Sequence, residues 1–157
     1  MKKIFILLIG IACFTTTYSQ KKDITLEEIW KENQFYPKNF SGLNSMNDGE
    51  HYVKMKKTED GQEIIKYGFK NGKKIRTLFK STDFEIPRVR RYTFSQDEKQ
   101  LLLATETERI YRYSSKSIYY VYNVFTDKLK KLSEDKVMYA TLSPNGKKVA
   151  YVFENNL

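Results

Sequence analysis

The sequence has few of the residues on which catalytic and metal-binding sites usually depend. Its 157 residues include one cysteine, Cys13, and one histidine, His51. A single cysteine excludes a disulfide within the chain, and no Cys/His spacing typical of a metal site occurs. The sequence also lacks a Gly-x-Ser-x-Gly nucleophile turn, a His-Glu-x-x-His motif and a glycine-rich phosphate loop. We therefore predict no catalytic residues, no metal site and no cofactor in this chain, and a structural role for His51.

Proline and tryptophan are also scarce, whereas the other two aromatic residues are abundant. The chain has three prolines and one tryptophan against 12 tyrosines and 10 phenylalanines. Tyrosine and phenylalanine rings cover the face of a pleated sheet well and are enriched in strands. The composition therefore favours a β-rich structure.

The N-terminus has the pattern of an export signal. Two lysines near the start precede an apolar run over residues 4–14, and small residues lie just before Gln20. The run is shorter than the roughly 20 residues that a membrane-spanning helix needs. We predict a signal peptide over residues 1–19 and an exported protein, periplasmic or secreted. The alternative is a lipoprotein acylated at Cys13.

The basic residues are spread along the chain. The net charge is +9, and most lysine and arginine pairs lie in or beside predicted turns: Lys56-Lys57, Lys73-Lys74, Arg90-Arg91, Lys130-Lys131 and Lys147-Lys148. Nucleic-acid binding would require a clustered basic stripe. We therefore predict solvated turns and protected strand edges, and no nucleic-acid partner.

A short helix is predicted over residues 23–33, within a lead-in segment 20–39. Thr25 is a candidate N-cap, and Glu28, three residues later, completes a capping box. Beyond this segment the sequence consists of short apolar strands and tight turns. Residues 40–157 are predicted to be entirely β-structure.

Three turns repeat at a nearly constant interval. Asp48, Asp97 and Asn145 each lie in a turn that is followed by an apolar strand, and they are 49 and 48 residues apart. The third turn, Pro-Asn-Gly, contains the residues that tolerate tight-turn dihedral angles. A hairpin follows each of the first two turns and ends in an amphipathic strand, so the period contains about four strands.

This period predicts an all-β fold, a partial β-propeller made of about two four-stranded blades and the start of a third. The alternative is a β-sandwich with evenly spaced hairpins. Two blades do not close a ring of typically four to eight blades. We therefore expect residues 40–157 to be an incomplete propeller.

One predicted loop is longer than a hairpin needs. Glu106–Lys116 is polar and contains Arg109 and Arg112 among aromatic residues. Loops on a rigid scaffold often bind ligands, and an arginine can hold a carbonyl or carboxylate with its planar fork of donors. The alternative is that the two arginines are surface residues paired with Glu106 and Glu108.

At these residues the chain resembles the N-terminal region of the dipeptidyl peptidase IV branch of the prolyl oligopeptidase family. The resemblance covers nearly all of the chain after the predicted signal peptide. The segments that carry it are Ile24-Thr25-Leu26-Glu27-Glu28-Ile29-Trp30, Tyr92-Thr93-Phe94-Ser95 with Leu101-Leu102-Leu103, Tyr111-Arg112-Tyr113-Ser114, Tyr119-Tyr120-Val121-Tyr122-Asn123-Val124, and 142–152.

The resemblance implies an eight-bladed propeller joined to an α/β-hydrolase domain with a serine triad. Such enzymes release dipeptides from peptides with proline or alanine in the second position. In the family, an arginine in the long loop of the second blade contacts a backbone oxygen of the bound dipeptide, and Arg112 matches it. No residues here match the triad or the glutamate pair that holds the substrate amino group. The hydrolase domain is therefore predicted to be absent from this chain.

The resemblance also implies partners. They are peptide substrates with a free N-terminus, the missing blades and hydrolase domain, and a second copy in a homodimer of the complete enzyme. We expect the chain alone to be catalytically inactive. Two alternatives are a non-catalytic periplasmic propeller module and a short adaptor that closes its ring by oligomerising.

Overall fold

The computed structural model describes residues 23–37, 42–154 and 156. The chain divides into two compact units, Met1–Asn39 and Phe40–Leu157. The predicted signal peptide, with Cys13, lies outside the described residues, so its boundary stays a prediction.

The described part of the first unit contains a short helix, α1 (Leu26–Trp30). Thr25 Oγ1 accepts a hydrogen bond from the Glu28 N–H at 3.2 Å, and the Glu28 carboxylate accepts one from the Thr25 N–H at 3.2 Å. This reciprocal pair confirms the predicted capping box. The helix is shorter than the predicted 23–33. Asn33, with φ of 51°, has the left-handed conformation that often follows a helix end.

The second unit is built from strands. In its described residues they are β1 (Leu43–Ser45), β2 (His51–Lys57), β3 (Gln62–Gly68), β4 (Lys74–Lys80), β5 (Val89–Phe94), β6 (Gln100–Arg109), β7 (Ser115–Asn123), β8 (Lys128–Lys131), β9 (Val137–Leu142) and β10 (Val149–Val152). One turn of 3-10 helix, Ser81–Asp83, follows β4.

The strands form two antiparallel sheets that are connected mainly as up-and-down meanders. Strands β1 to β4 pair in sequence order as a first four-stranded sheet. Strands β5 to β8 pair in the same way, and the second sheet continues through β9 to β10. A four-stranded antiparallel meander is the form of one propeller blade. The predicted all-β class is confirmed, with two blades and the first two strands of a third.

Strand β9 joins the second blade to the third. It pairs with β7 at Val137 and Met138, and then with β10 from Met138 to Leu142. Tyr139, at the change of partner, has φ of 54°. The strand therefore changes blades at a residue in the left-handed region.

In all three repeated turns, the side-chain oxygen of Asp48, Asp97 or Asn145 accepts the backbone N–H two residues later. In the second and third, a serine hydroxyl (Ser95 or Ser143) donates to the carboxylate or amide side chain two residues later, at 2.7 and 2.9 Å. The same hydroxyl accepts the backbone N–H five residues later. The first turn has Met46 at the serine position, and Asp48 Oδ1 also accepts the N–H of His51. The repeat read from the sequence is therefore a repeat of turn structure.

The apolar core lies between the two blades. Its buried members are Val53, Ile64, Leu78 and Phe79 from the first blade, with Val89, Leu101, Leu103, Tyr122 and Val124 from the second. The ring of Phe79 meets that of Tyr122 edge-on, with centroids 5.0 Å apart. Burial of these side chains provides the main favourable contribution to the packing of the blades against each other.

A buried glutamine links the blades by hydrogen bonds. Gln62, in β3, donates from Nε2 to the Val89 carbonyl at 3.0 Å and accepts the Val89 N–H at 2.7 Å. The Gln62 N–H in turn donates to the hydroxyl of Ser81 at 2.9 Å. The amide side chain thus satisfies both backbone groups of the first residue of β5, which would otherwise be buried without partners.

Candidate functional site: the long hairpin of the second blade

The candidate site is on the hairpin made by β6 and β7. The predicted loop over Glu106–Lys116 is too long, because β6 continues to Arg109 and β7 begins at Ser115. Only residues 110–114, which we call the hairpin tip, lie outside the strands. Cross-strand backbone pairing, which depends little on side-chain polarity, accounts for the difference.

An irregularity separates this extension from the body of the blade. The register of β6 and β7 shifts between Thr105 and Glu108, and Glu106 has φ of 46°. A bulge of this kind bends the strands and increases their twist. The paired segment beyond the bulge is therefore bent relative to the body of the blade.

The hairpin tip is closed by its last residue. The Ser114 carbonyl accepts the N–H groups of Ile110 at 2.9 Å and Tyr111 at 3.2 Å. The Ser114 N–H donates back to the Tyr111 carbonyl at 3.4 Å. Three backbone hydrogen bonds across five residues restrict the conformations of the tip.

Arg112 lies at the middle of the hairpin tip and is exposed. Its guanidinium carbon is 5.4 Å from the centroid of the Tyr113 ring, within the range of a cation–π contact. Its carbonyl accepts a hydrogen bond from Arg109 Nη2 at 3.3 Å. The neighbouring rings of Tyr111 and Tyr113 are 75% and 85% exposed. The tip therefore presents a cation beside uncovered aromatic surface.

Glu108, next to Arg109 in the sequence, is paired with lysines. Glu108 pairs with Lys116 at 3.3 Å and with Lys136 at 3.4 Å. The hydrogen bond from Lys116, supported by that from Lys136, holds the pKa of Glu108 below its ordinary value. Among the described residues, neither Arg109 nor Arg112 forms a salt bridge. The pairing of the arginines with Glu106 and Glu108 that the alternative interpretation expects is not observed.

His51 is in the first repeated turn, outside the long hairpin. Its Nδ1 lies 2.6 Å from Asp48 Oδ2, and Lys66 Nζ lies 3.3 Å from the same oxygen. The hydrogen bond with His51 is the main cause that holds the pKa of Asp48 far below its ordinary value. The histidine therefore contributes to the structure of the turn.

Two other kinds of site, a metal centre and a membrane-spanning helix, are absent from the described part of the chain. Within residues 23–37, 42–154 and 156, no group of three or more His, Cys, Asp or Glu side chains could hold a metal ion. In the same part of the chain, no helix is long and apolar enough to cross a membrane.

Comparison with known proteins identifies the region. Residues 95–157 match the family model of the dipeptidyl peptidase IV (DPP IV) N-terminal region. The crystal structure of Porphyromonas gingivalis dipeptidyl peptidase 4 matches with 38% identity and a TM-score of 0.65, over 86% of this chain and 20% of that chain. The chain is similar to the N-terminal region of dipeptidyl peptidase IV-like proteins. This match confirms both the resemblance and the partial β-propeller fold.

Curated relatives of this dipeptidyl peptidase IV-like region differ in activity. The "Inactive dipeptidyl peptidase 10" of Rattus norvegicus is 33% identical over 85 residues, which cover 51% of this chain and 11% of that protein. The "Prolyl endopeptidase FAP" of Homo sapiens is 26% identical over 96 residues, 60% of this chain and 12% of that protein. The chain thus spans about an eighth of these relatives. Likeness in this region does not by itself decide whether a protein is catalytic.

Proposed function

We propose that this chain forms the first blades of the propeller of an exported dipeptidyl peptidase IV-like serine peptidase. In this proposal the complete protein releases N-terminal dipeptides that have proline or alanine in the second position. The serine triad that performs the acyl transfer lies in a hydrolase domain beyond this region. The support is the family match and the likeness to a dipeptidyl peptidase 4, of which the chain spans 20%.

Arg112 carries the proposal for a role in substrate binding. Its guanidinium is exposed at the end of a paired hairpin, and no described carboxylate neutralises it. A planar fork of N–H donors can hold the carbonyl oxygen of a bound peptide. Because the tip is closed by backbone hydrogen bonds, little conformational freedom is lost when the peptide binds.

Hydrolysis of a Gly-Pro chromogenic substrate by the complete protein tests this role. Removal of a charged hydrogen-bond donor costs about 1.5–3 kcal/mol, so Arg112→Ala should lower kcat/KM about 10- to 100-fold. The kcat/KM of Arg112→Lys should lie between those of the wild type and Arg112→Ala, because lysine keeps the positive charge but not the planar fork of donors. Arg76→Ala is the matched control, since Arg76 also lies over an aromatic ring, that of Phe125.

The proposal would be contradicted if Arg112→Ala and Arg76→Ala gave the same kinetics. A second arm uses purified residues 20–157 alone. This fragment should release no dipeptide, and detectable release would overturn the proposed division of labour between the chain and a hydrolase domain.

A non-catalytic propeller module that binds a protein or envelope component is the second candidate. It is retained because one of the relatives that the chain matches is named as inactive. Sequencing the gene beyond the codon for Leu157 separates the two, because the peptidase requires a Gly-x-Ser-x-Gly region that the binding module lacks.

Export and partners belong to the same proposal. We expect the mature protein to begin at Gln20, to reach the periplasm or medium, and to assemble with the remaining blades and hydrolase domain as a homodimer. N-terminal sequencing of the exported protein checks the first point. Lipid labelling that disappears in Cys13→Ala would instead establish the lipoprotein alternative.

A further inference from the structure

Tyr139 combines an unfavourable backbone conformation with exposure. Its φ is 54°, and its side chain is 57% exposed. Large side chains rarely adopt left-handed dihedral angles, and such strain persists only where the surrounding structure imposes it. Because the ring is mostly exposed, burial of the side chain does not explain the left-handed conformation.

The position of Tyr139 in the fold gives one reason for the strain. The preceding residues, Val137 and Met138, pair with β7, and the following residues pair with β10. The register of β9 and β10 shifts between Ala150 and Val152, opposite this point. The left-handed residue lies where β9 changes from the second blade to the third.

The hydroxyl of Tyr139 gives a second reason. It lies 2.9 Å from the hydroxyl of Ser114. Ser114 is the residue whose carbonyl and N–H close the hairpin tip. The hydrogen bond between Tyr139 and Ser114 therefore ties the closing residue of the tip to the start of the third blade.

A second tie lies further from the tip. Lys136, just before β9, contacts Glu108 of β6 at 3.4 Å, and Lys116 of β7 contacts the same carboxylate at 3.3 Å. The segment that leads into the third blade thus contacts the hairpin at two points, Ser114 in the tip and Glu108 in β6. Surface ion pairs contribute little individually, so the tyrosine–serine bond is the contact that acts on the tip itself.

We infer that Tyr139 is a positioning residue: it holds the hairpin tip through Ser114 and so fixes the direction from which Arg112 meets the peptide. This inference rests on the proposed function of Arg112. Tyr139 itself need not touch the substrate. Without the hydroxyl the tip would sample more orientations, and peptide binding would have to select among them.

The test compares Tyr139→Phe and Ser114→Ala with a control in the complete protein. Tyr151→Phe, on β10 of the same blade, removes a hydroxyl that makes no hydrogen bond to the described residues. The first readout is amide hydrogen exchange at Ile110, Tyr111 and Ser114. Loss of one neutral hydrogen bond should speed this exchange about 3- to 10-fold in both test variants and not in the control.

The second readout is the kinetics of Gly-Pro substrate hydrolysis. We expect Tyr139→Phe to raise KM about 3- to 10-fold with kcat changed less than about twofold, because the arginine holds the peptide and not the reacting groups. The double variant should match either single variant, since both remove the same bond. The thermal midpoint of Tyr139→Phe should stay unchanged. If Tyr139 served only the stability of the fold, the substitution would lower the thermal midpoint and would not raise KM by itself.

Each other outcome overturns a defined statement. Unchanged exchange at the tip in Tyr139→Phe would show that the tether does not exist. Faster exchange with unchanged KM, while Arg112→Ala still raises KM, would overturn the inference and leave the proposed function standing. If Arg112→Ala has no effect on kcat/KM, the proposed role of Arg112 in substrate binding fails and the inference fails with it.

Discussion

At the scale of single residues, Glu98 shows how local strain and contact between blades are combined. The first and third repeated turns have Gly49 and Gly146 at the left-handed position, whereas the second has Glu98 with φ of 56°. The Glu98 carboxylate accepts the Asn47 N–H at 2.6 Å. The second turn thus tolerates an unfavourable backbone angle and gains a hydrogen bond to the first blade.

Two substitutions separate these contributions. Glu98→Ala keeps the left-handed angle and loses the hydrogen bond, so we expect the free energy of unfolding to fall by about 1–2 kcal/mol. Glu98→Gly also loses the bond but relieves roughly 1 kcal/mol of strain. It should therefore be the more stable of the two in urea denaturation. If the alanine variant were as stable as the glycine variant, the strain assignment would be wrong.

Asp97 makes the stability of the second turn dependent on pH. The hydrogen bond from the Ser95 hydroxyl, with that from the Lys99 N–H, holds the pKa of Asp97 below its ordinary value. A carboxylate whose pKa is lower in the folded state contributes stability above its unfolded pKa, about 4, and loses that contribution as the pH falls through the folded pKa. Because the side chain is exposed, solvent screening keeps the effect small.

The third turn supplies the matched variant, because Asn145 makes the corresponding hydrogen bonds without a charge. Asp97→Asn should keep near wild-type stability at pH 7 and lose less stability on acidification. Urea midpoints measured at pH 7 and pH 3 check this. An identical acid-induced loss in the variant and the wild type would contradict the assigned role of the Asp97 carboxylate.

At the scale of strands and blades, Gln62 provides a polar link inside an apolar interface. Gln62→Leu would leave the Val89 N–H and C=O buried without partners, each costing about 1–3 kcal/mol. We therefore expect the free energy of unfolding to fall by about 2–5 kcal/mol, measured by urea denaturation. Gln96→Leu is the control, since that side chain is exposed. Equal effects of the two substitutions would show that Gln62 is not a link between the blades.

Gly61, in the turn before β3, packs closely against the 3-10 helix Ser81–Asp83. A Cβ added at Gly61 would lie 2.5 Å from Ser81 Oγ, the acceptor of the Gln62 N–H. Gly61→Ala should therefore destabilise the protein by about 1–3 kcal/mol. Gly68→Ala, whose nearest neighbour would be 3.4 Å away, should change stability little. Thermal denaturation of both variants measures the difference, and a neutral Gly61→Ala would contradict the close packing.

Much of the β-structure could be predicted from local patterns. Turn residues and apolar strands recur with the same period, and the side chains of Asp48, Asp97 and Asn145 each accept the backbone N–H two residues later. Turn chemistry is local, so the sequence shows it directly. The helix start at Thr25 was predictable for the same reason.

Features that depend on distant pairing could not be predicted. Polar composition favoured a loop over Glu106–Lys116, yet cross-strand pairing extends β6 to Arg109. No sequence signal marks the strained Tyr139 or its bond to Ser114, because both arise from the change of partner by β9. The family resemblance predicts a substrate-binding role for Arg112, and the structure places its side chain exposed at the hairpin tip.

At the scale of the whole molecule, contacts between neighbouring blades run the length of the described propeller unit. The first and second blades are joined by the apolar core, by Gln62 to Val89, and by Asn44 to the Tyr92 hydroxyl at 2.6 Å. The second and third share β9. Because each contact involves adjacent blades, the second blade, from which the hairpin with Arg112 extends, is held from both sides.

The central claim is that the hairpin of β6 and β7 presents Arg112 to a bound peptide. A crystal structure of the complete protein with an N-terminal dipeptide product tests it most directly. The account predicts the Arg112 guanidinium about 3 Å from a backbone carbonyl oxygen of the dipeptide, with Tyr139 still bonded to Ser114. A dipeptide bound elsewhere, with Arg112 facing solvent, would contradict it.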